Sequence, residues 1–479
     1  MLGARNVHYE VAERSRGLAV GGIGAMHQLA QSVGLVDEID RRLRLLKVHL
    51  PYHESDHVLN IAYNLLCGGQ CLEDLELLRQ NEVYLDALGA QRIPDPTTAG
   101  DFCRRFEPED VEALMEAINT VRPRIWKQQP EAFFEEAVIE ADGSLVETTG
   151  ECKEGMDISY KGTWGFHPLV VSLANTQEPL FVVNRPGNRP SHEGAAERFD
   201  QSLKLCREAG FRKILFRGDT DFSQTTHLDR WDAQGVRFVF GIAAMPNLVK
   251  TADWLPETVW ESLPRPPRYT VKTQPRARPD NVKERIVRER EYKNLRLVSE
   301  DVAEFPYSPK ACRETYRIVV VRKNLSVEQG EHVLFDDIRY FFYLTNDRTS
   351  EAAAIVFTAN DRCNQENLNA QLKAVRALHA PVDHLVSNWA YMVMASLAWT
   401  LKAWFALMLP ETGRWKEKHA AEKQAVLRME FRTFLNAMMR LPTQIVRQGR
   451  KTIYRLLGWN RWLDVFLRGW EQVRVPLPT

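Results

Sequence analysis

The chain has 479 residues, too many for one ordinary domain, and its 44% apolar and 26% charged residues are those of a globular protein. Its 63 Lys and Arg balance 63 Asp and Glu, which excludes a chain-wide positive field, so any attraction for phosphate must come from local patches. Seven cysteines at 67, 71, 103, 152, 206, 312 and 363 show no paired spacing, which argues against a disulfide framework or a zinc site and fits a reducing compartment.

Residues from about 20 to 125 carry helical periodicity. Leu59, Ala62, Tyr63, Leu66 and Cys67 share one face, and Leu72, Leu75 and Leu78 continue it. Asp95-Pro96-Thr97-Thr98 breaks the chain and starts a further helix, which carries Arg104 and Arg105. From about 133 the period becomes that of strands. Phe133 to Thr148 predicts a strand pair broken near Gly143, and 166–174 with 179–184 predicts a hairpin turning at Asn175-Thr176-Gln177-Glu178. Gly194 to Ala209 is amphipathic, and Lys213 to Phe216 is a short apolar strand. Residues from about 235 to 345 are rich in strand formers, interrupted by a Pro- and Arg-rich stretch from Pro264 to Arg290. Helical pattern then resumes to about 470. Its most apolar part, Trp389 to Leu409, contains Ser396, Thr400 and Lys402 and is stopped by Pro410, so a buried helix is expected rather than a membrane span. No signal peptide is evident at the N-terminus.

Three acids carry the chemistry. Asp142 ends the run Ala137-Val138-Ile139-Glu140-Ala141-Asp142, and Asp219 ends Lys213-Ile214-Leu215-Phe216-Arg217-Gly218-Asp219. Glu366 lies in a polar helical segment. On a strand, Glu140 and Asp142 point to one face, as do Asp219 and Asp221 if that strand extends so far. Two-metal sites hold magnesium-type ions roughly 3.5–4 Å apart between several carboxylates. Any one of these acids read alone is a solvated loop carboxylate; the matching strand contexts and the later helix favour the metal reading. Arg362, Glu366 and Lys373 fall on one helical face, distinct from the apolar stripe of Leu368 and Leu372. A solvated salt-bridge face is the alternative.

In these residues the chain resembles a DDE transposase of bacterial insertion sequences, in the group with a strand-rich insertion before the catalytic Glu. That group has a Tyr-x2-Arg-x3-Glu-x6-Lys signature, matched here by Arg362, Glu366 and Lys373, while Ala359 stands at the Tyr position. Asp142 and Asp219 match the family's first and second acids. The resemblance runs from the helical N-terminal region to about residue 405.

The resemblance implies an α/β fold with a ribonuclease-H-like catalytic core interrupted by a β-rich insertion. The expected layout is a helical DNA-binding domain at 1–130, core at 131–234, insertion at 235–345, core at 346–410 and a basic helical region at 411–479. It implies cut-and-paste transposition, with Asp142, Asp219 and Glu366 holding two Mg2+ ions (Mn2+ as a substitute). The expected partners are double-stranded DNA, as terminal inverted repeats and target, and a second copy of the chain in a homodimeric synapse. The expected location is the bacterial cytoplasm, at the nucleoid, with no membrane. Arg362, Lys373, Arg104 and Arg105 are candidate DNA contacts, and Trp254 and Trp260 are candidates for stacking on a flipped base, against the alternative that each packs a core. Further charge lies in Arg265, Arg268, Lys272, Arg276, Arg278, Lys283, Arg285, Arg288 and Arg290, and in a tail from 411 with 14 Lys and Arg against 6 Asp and Glu. A transposase-derived DNA-binding protein without catalysis, and a nuclease that cuts but does not join, are the competing readings.

Overall fold

The computed structural model describes Tyr9 and residues 16–49, 51–265, 282–330 and 332–477. The elements used below are α1 (Glu54–Leu66), α2 (Pro108–Trp126), β1 (Glu136–Gly143), β2 (Leu169–Leu173), β3 (Glu178–Val183), α3 (Ala195–Ala209), β4 (Lys213–Gly218), β5 (Arg237–Ile242), β6 (Lys293–Tyr307), β7 (Tyr316–Gln329), β8 (His332–Thr345), α4 (Ala352–Asn360), α5 (Cys363–Ala374), α6 (Leu385–Leu407), β9 (Thr443–Gln448), β10 (Lys451–Leu456) and α7 (Leu463–Val473).

Two compact units divide these elements. One gathers residues up to Phe133, Gly143–Arg189 and Asn367–Thr479. The other gathers Phe134–Asp142 and Pro190–Glu366. This division cuts across the boundaries expected from the sequence, because the N-terminal helices share their core with the C-terminal third.

In the first unit α6 is the central helix, and α1 and α2 pack on it. It is long and apolar enough to cross a membrane, yet all of its apolar window is buried in protein. β2 and β3 form the expected antiparallel hairpin. Glu178, at the start of β3, is fully buried and holds three partners: Arg122 Nη1 at 2.5 Å, Trp126 Nε1 at 3.0 Å and Trp404 Nε1 at 2.7 Å. Arg122 is further held by Asn119 Oδ1 and the Pro179 carbonyl, each at 2.9 Å. The C-terminal region, expected to be helical, contains the β9–β10 hairpin, with Gly17–Leu18 added to β9. The reason is local: Gly449 at φ 60° closes a two-residue loop between segments rich in β-branched residues.

Lys402 is buried in α6. Its Nζ donates to the Leu427 carbonyl at 2.8 Å and lies 4.1 Å from the centre of the Trp399 ring. Burial lowers its pKa to about 7. Unfolded, a lysine stays protonated to about pH 10.4, so between these values the unfolded chain binds more protons and stability rises with pH. Relative to Lys402→Met, the wild-type chain is therefore expected to gain stability in denaturant titrations between pH 7 and 9. A difference that stays constant over that interval would refute the buried amine.

The second unit is a sheet in the order β1-β4-β5-β8-β7-β6. β1, β4 and β5 are parallel, with Glu140 opposite Arg217 and Gly218 opposite Phe240. From β5 onward the pairing is antiparallel. Helices flank both faces. Phe216 and Phe240 face α3, where Phe199 lies 4.6 Å from Phe216. Leu215, Val239, Val319 and Val321 face α4, packing against Ile355, Val356 and Ala359. The interval 235–345 carries β5 to β8, with short helices at Pro246–Asp253 and Val282–Glu289. It is not set apart from the core sheet: β5 lies inside that sheet and β6–β8 extend it. Phe238, Val239 and Phe240 are all fully buried, as a central parallel strand requires.

Candidate active site

Strand alternation decides where the acids fall. Leu215 and Val138 pack on the α4 side of the sheet. Residues two and four positions on keep that side, so Glu140, Arg217, Asp142 and Asp219 all face the α4 layer. The parallel register then sets Asp142 and Asp219 at the carboxyl ends of neighbouring strands, where open α/β sheets place their sites.

One pleat below them lies a buried ion pair. Arg217 donates from Nε to Glu140 Oε1 at 2.6 Å, with Nη2 2.5 Å from the same oxygen. Its Nη1 donates to the Thr358 carbonyl at 2.6 Å, at the end of α4, and lies 3.9 Å from Asp361 Oδ2. One guanidinium thus ties both acid-bearing strands to the turn leading into the Glu366 helix. Burial pushes the Glu140 carboxyl up to about 7, against the pull of Arg217. Glu140 is thereby occupied as a structural partner. Arg217 was not singled out in the sequence, although the i−2 relation of Glu140 to Asp142 is repeated by Arg217 and Asp219.

Asp219 caps the short turn Thr220–Phe222, its Oδ1 accepting the Asp221 N–H at 2.9 Å. Burial raises its pKa; the Asp221 N–H and Arg362 act the other way, and the charges of Asp221 and Glu366 add to the rise. Glu366 lies in the first turn of α5, its side chain about half exposed. Arg362 is not in that helix: α4 ends at Asn360, and Asp361-Arg362 form a turn before α5 begins. From this turn Arg362 Nη1 reaches Asp219 Oδ2 at 3.6 Å and Nη2 reaches Glu366 Oε1 at 3.2 Å. Asp219 and Glu366 therefore share one cation. Asp142 stands at the same end of the adjoining strand, half-buried. Among the described residues no group of three or more His, Cys, Asp or Glu is gathered closely enough to hold a metal ion.

Ala359, at the signature's Tyr position, is buried in the core between α4 and the sheet. An aromatic reaches this junction from β8 instead. Tyr343 packs against the same cluster, and its hydroxyl lies 3.4 Å from Asn360 Oδ1.

The other candidates are dispersed. Lys373 is exposed two turns along α5. Arg104 is held by Asp383 at 2.8 Å and Asp101 at 2.9 Å, and Arg105 is exposed. Trp254 is 76% exposed, with Lys250 Nζ 4.7 Å from its ring centre. Trp260 has one face covered by Arg322, at 4.3 Å, and lies 6.2 Å from the Tyr340 ring. Arg265 is committed to Glu300. Arg268, Lys272, Arg276 and Arg278 lie outside the described residues. Lys283, Arg285, Arg288 and Arg290 are exposed.

No curated protein matches the chain. Among solved structures it is similar to a piggyBac transposase synaptic complex with hairpin DNA, determined by cryo-EM. The identity is 9%, the coverage 87% of this chain and 81% of that one, and the TM-score 0.33, a level from which no correspondence of elements follows. A family model described as transposase DDE domain group 1 matches residues 16–472, and the chain belongs to this family of DDE transposases.

Proposed function

We propose that this chain cuts and joins DNA at the ends of a bacterial insertion sequence, by cut-and-paste transposition on a ribonuclease-H-like core. The observation that carries the reading is the cation shared by Asp219 and Glu366, with Asp142 at the same end and on the same side of the sheet. Carboxylates that already hold a guanidinium between them suit a divalent ion, since both are hard oxygen donors facing a common positive charge. Asp142, Asp219 and Glu366, which are not gathered closely enough in this structure to hold a metal ion, would have to draw together to hold two Mg2+ ions, with Mn2+ as a substitute. When bound, such ions supply an activated water or 3′-hydroxyl and stabilise the leaving oxygen.

The chain's own residues do the positioning. Glu140 and Arg217 fix the two strands against α4. Arg362, with its planar fork, and Lys373, a point charge on a flexible stem, hold the DNA backbone near the cut without reading bases. Trp254, largely exposed with Lys250 over its ring, is the residue offered for stacking on an extruded base; Arg104 and Arg105 would contact DNA from the helical N-terminal region. The partners are terminal inverted repeats, target DNA and a second copy of the chain, and the setting is the nucleoid in the cytoplasm.

Incubation with Mg2+ and a duplex carrying the DNA that flanks the gene tests the reading. Strand cleavage at the element boundary and transfer of the freed end are expected; cleavage without transfer would instead make it a nuclease. Lys373→Ala is expected to weaken end binding for all sequences and to reduce the salt slope by about one, the loss of a single phosphate contact. A change in base preference would refute this positioning role.

A further inference from the structure

Arg362 does something in this structure that holding a phosphate does not explain. Its two terminal nitrogens are divided between Asp219 and Glu366, at 3.6 and 3.2 Å. The neighbouring Arg217 is turned to Glu140 and the Thr358 carbonyl, so it does not share this role. An arginine does not give up its proton in a protein. It cannot be neutralised to make room for a dication between the same carboxylates; it must leave. Its place on a two-residue turn, with the side chain about a quarter exposed, gives it room to do so.

We propose that Arg362 is an internal counter-ion that competes with divalent metal for Asp219 and Glu366, and that a DNA phosphate releases it. This rests on the reading above that those carboxylates hold metal. The guanidinium fork that fits a carboxylate fits the two free oxygens of a phosphodiester equally well. A backbone phosphate brought beside the site therefore offers Arg362 an alternative partner, and the carboxylates it leaves are open to metal. Coupling of this kind is reciprocal: DNA tightens metal binding by the factor by which metal tightens DNA binding. Off DNA, the site is kept closed to the ion it needs for cutting. Lys373, exposed two turns along α5, makes no such exchange.

Mn2+ titrations of the chain, read from the electron paramagnetic resonance of free Mn2+, test this without any turnover. In the absence of DNA, R362A is expected to bind Mn2+ about tenfold more tightly than wild type, within the range of ordinary coupling between sites. R362K, which keeps the charge but cannot fork, is expected to fall between them, and K373A to match wild type. A duplex carrying the flanking DNA of the gene is expected to tighten Mn2+ binding by wild type and to leave R362A unchanged. Equal or weaker Mn2+ binding by R362A, with D219A losing the ion, would overturn the exchange alone. Full Mn2+ binding by D219A would overturn the metal reading and the exchange with it. K373A matching R362A would reduce the effect to general charge and overturn the role of the bridge. Equal tightening of wild type and R362A by the duplex would overturn the release by phosphate.

Discussion

Replacing Asp219 by Asn is expected to abolish strand cleavage while leaving binding to DNA ends within a few-fold of wild type. Asp142→Asn and Glu366→Gln are expected to do the same. Loss of several kcal/mol of charge stabilisation at the reacting phosphate corresponds to roughly a thousandfold or more in rate. The fold should survive each change. Glu366 is half exposed, and at Asp219 the amide keeps an oxygen for the Asp221 N–H. Cleavage rate, end binding and thermal unfolding measured on the same preparations check the claim. Wild-type cleavage by any of the three would remove that residue from the site, and unfolding would move it from chemistry to structure.

The second large effect belongs to Glu178, where no chemistry is involved. Glu178→Ala would remove the carboxylate that pairs with the buried Arg122 guanidinium and that accepts from the indole N–H groups of Trp126 and Trp404. Removing one member of a buried pair costs about 3–5 kcal/mol, a large share of the 5–15 kcal/mol that holds an ordinary domain together. Glu178→Gln, which keeps two of the acceptor contacts geometrically possible, should cost less. Denaturant unfolding of both variants measures the difference. A loss under about 1 kcal/mol for Glu178→Ala, the range of an ordinary hydrogen bond, would show that the hub is dispensable.

What was legible in the sequence follows from what is local. The runs ending at Asp142 and Asp219 read as strands because their apolar residues are consecutive, and 195–209 read as a helix because Phe199, Leu203 and Cys206 keep one side. The burial of 385–407 followed from its composition. Glu178 was not legible as a hub. It follows Asn175-Thr176-Gln177 and looks like the polar end of a turn, while its partners lie at 122, 126 and 404. The place of β5 inside the core sheet depends on pairing with β4 and β8, which no local pattern records. The spacing of Arg362 and Glu366 showed that they would be neighbours. It did not show that Arg362 leaves the helix and reaches back to Asp219.

The first unit is stitched from the two ends of the chain. Gly17 pairs with Gln444, and the Tyr454 hydroxyl donates to the Ala87 carbonyl. During synthesis the N-terminal helices must wait for partners made more than three hundred residues later, a long interval of exposed apolar surface. A stop codon in the last third of the gene would therefore not leave behind a competent N-terminal fragment able to occupy the element's ends. In inheritance terms, late truncations of this gene should be silent losses rather than dominant blockers of the intact copies beside them.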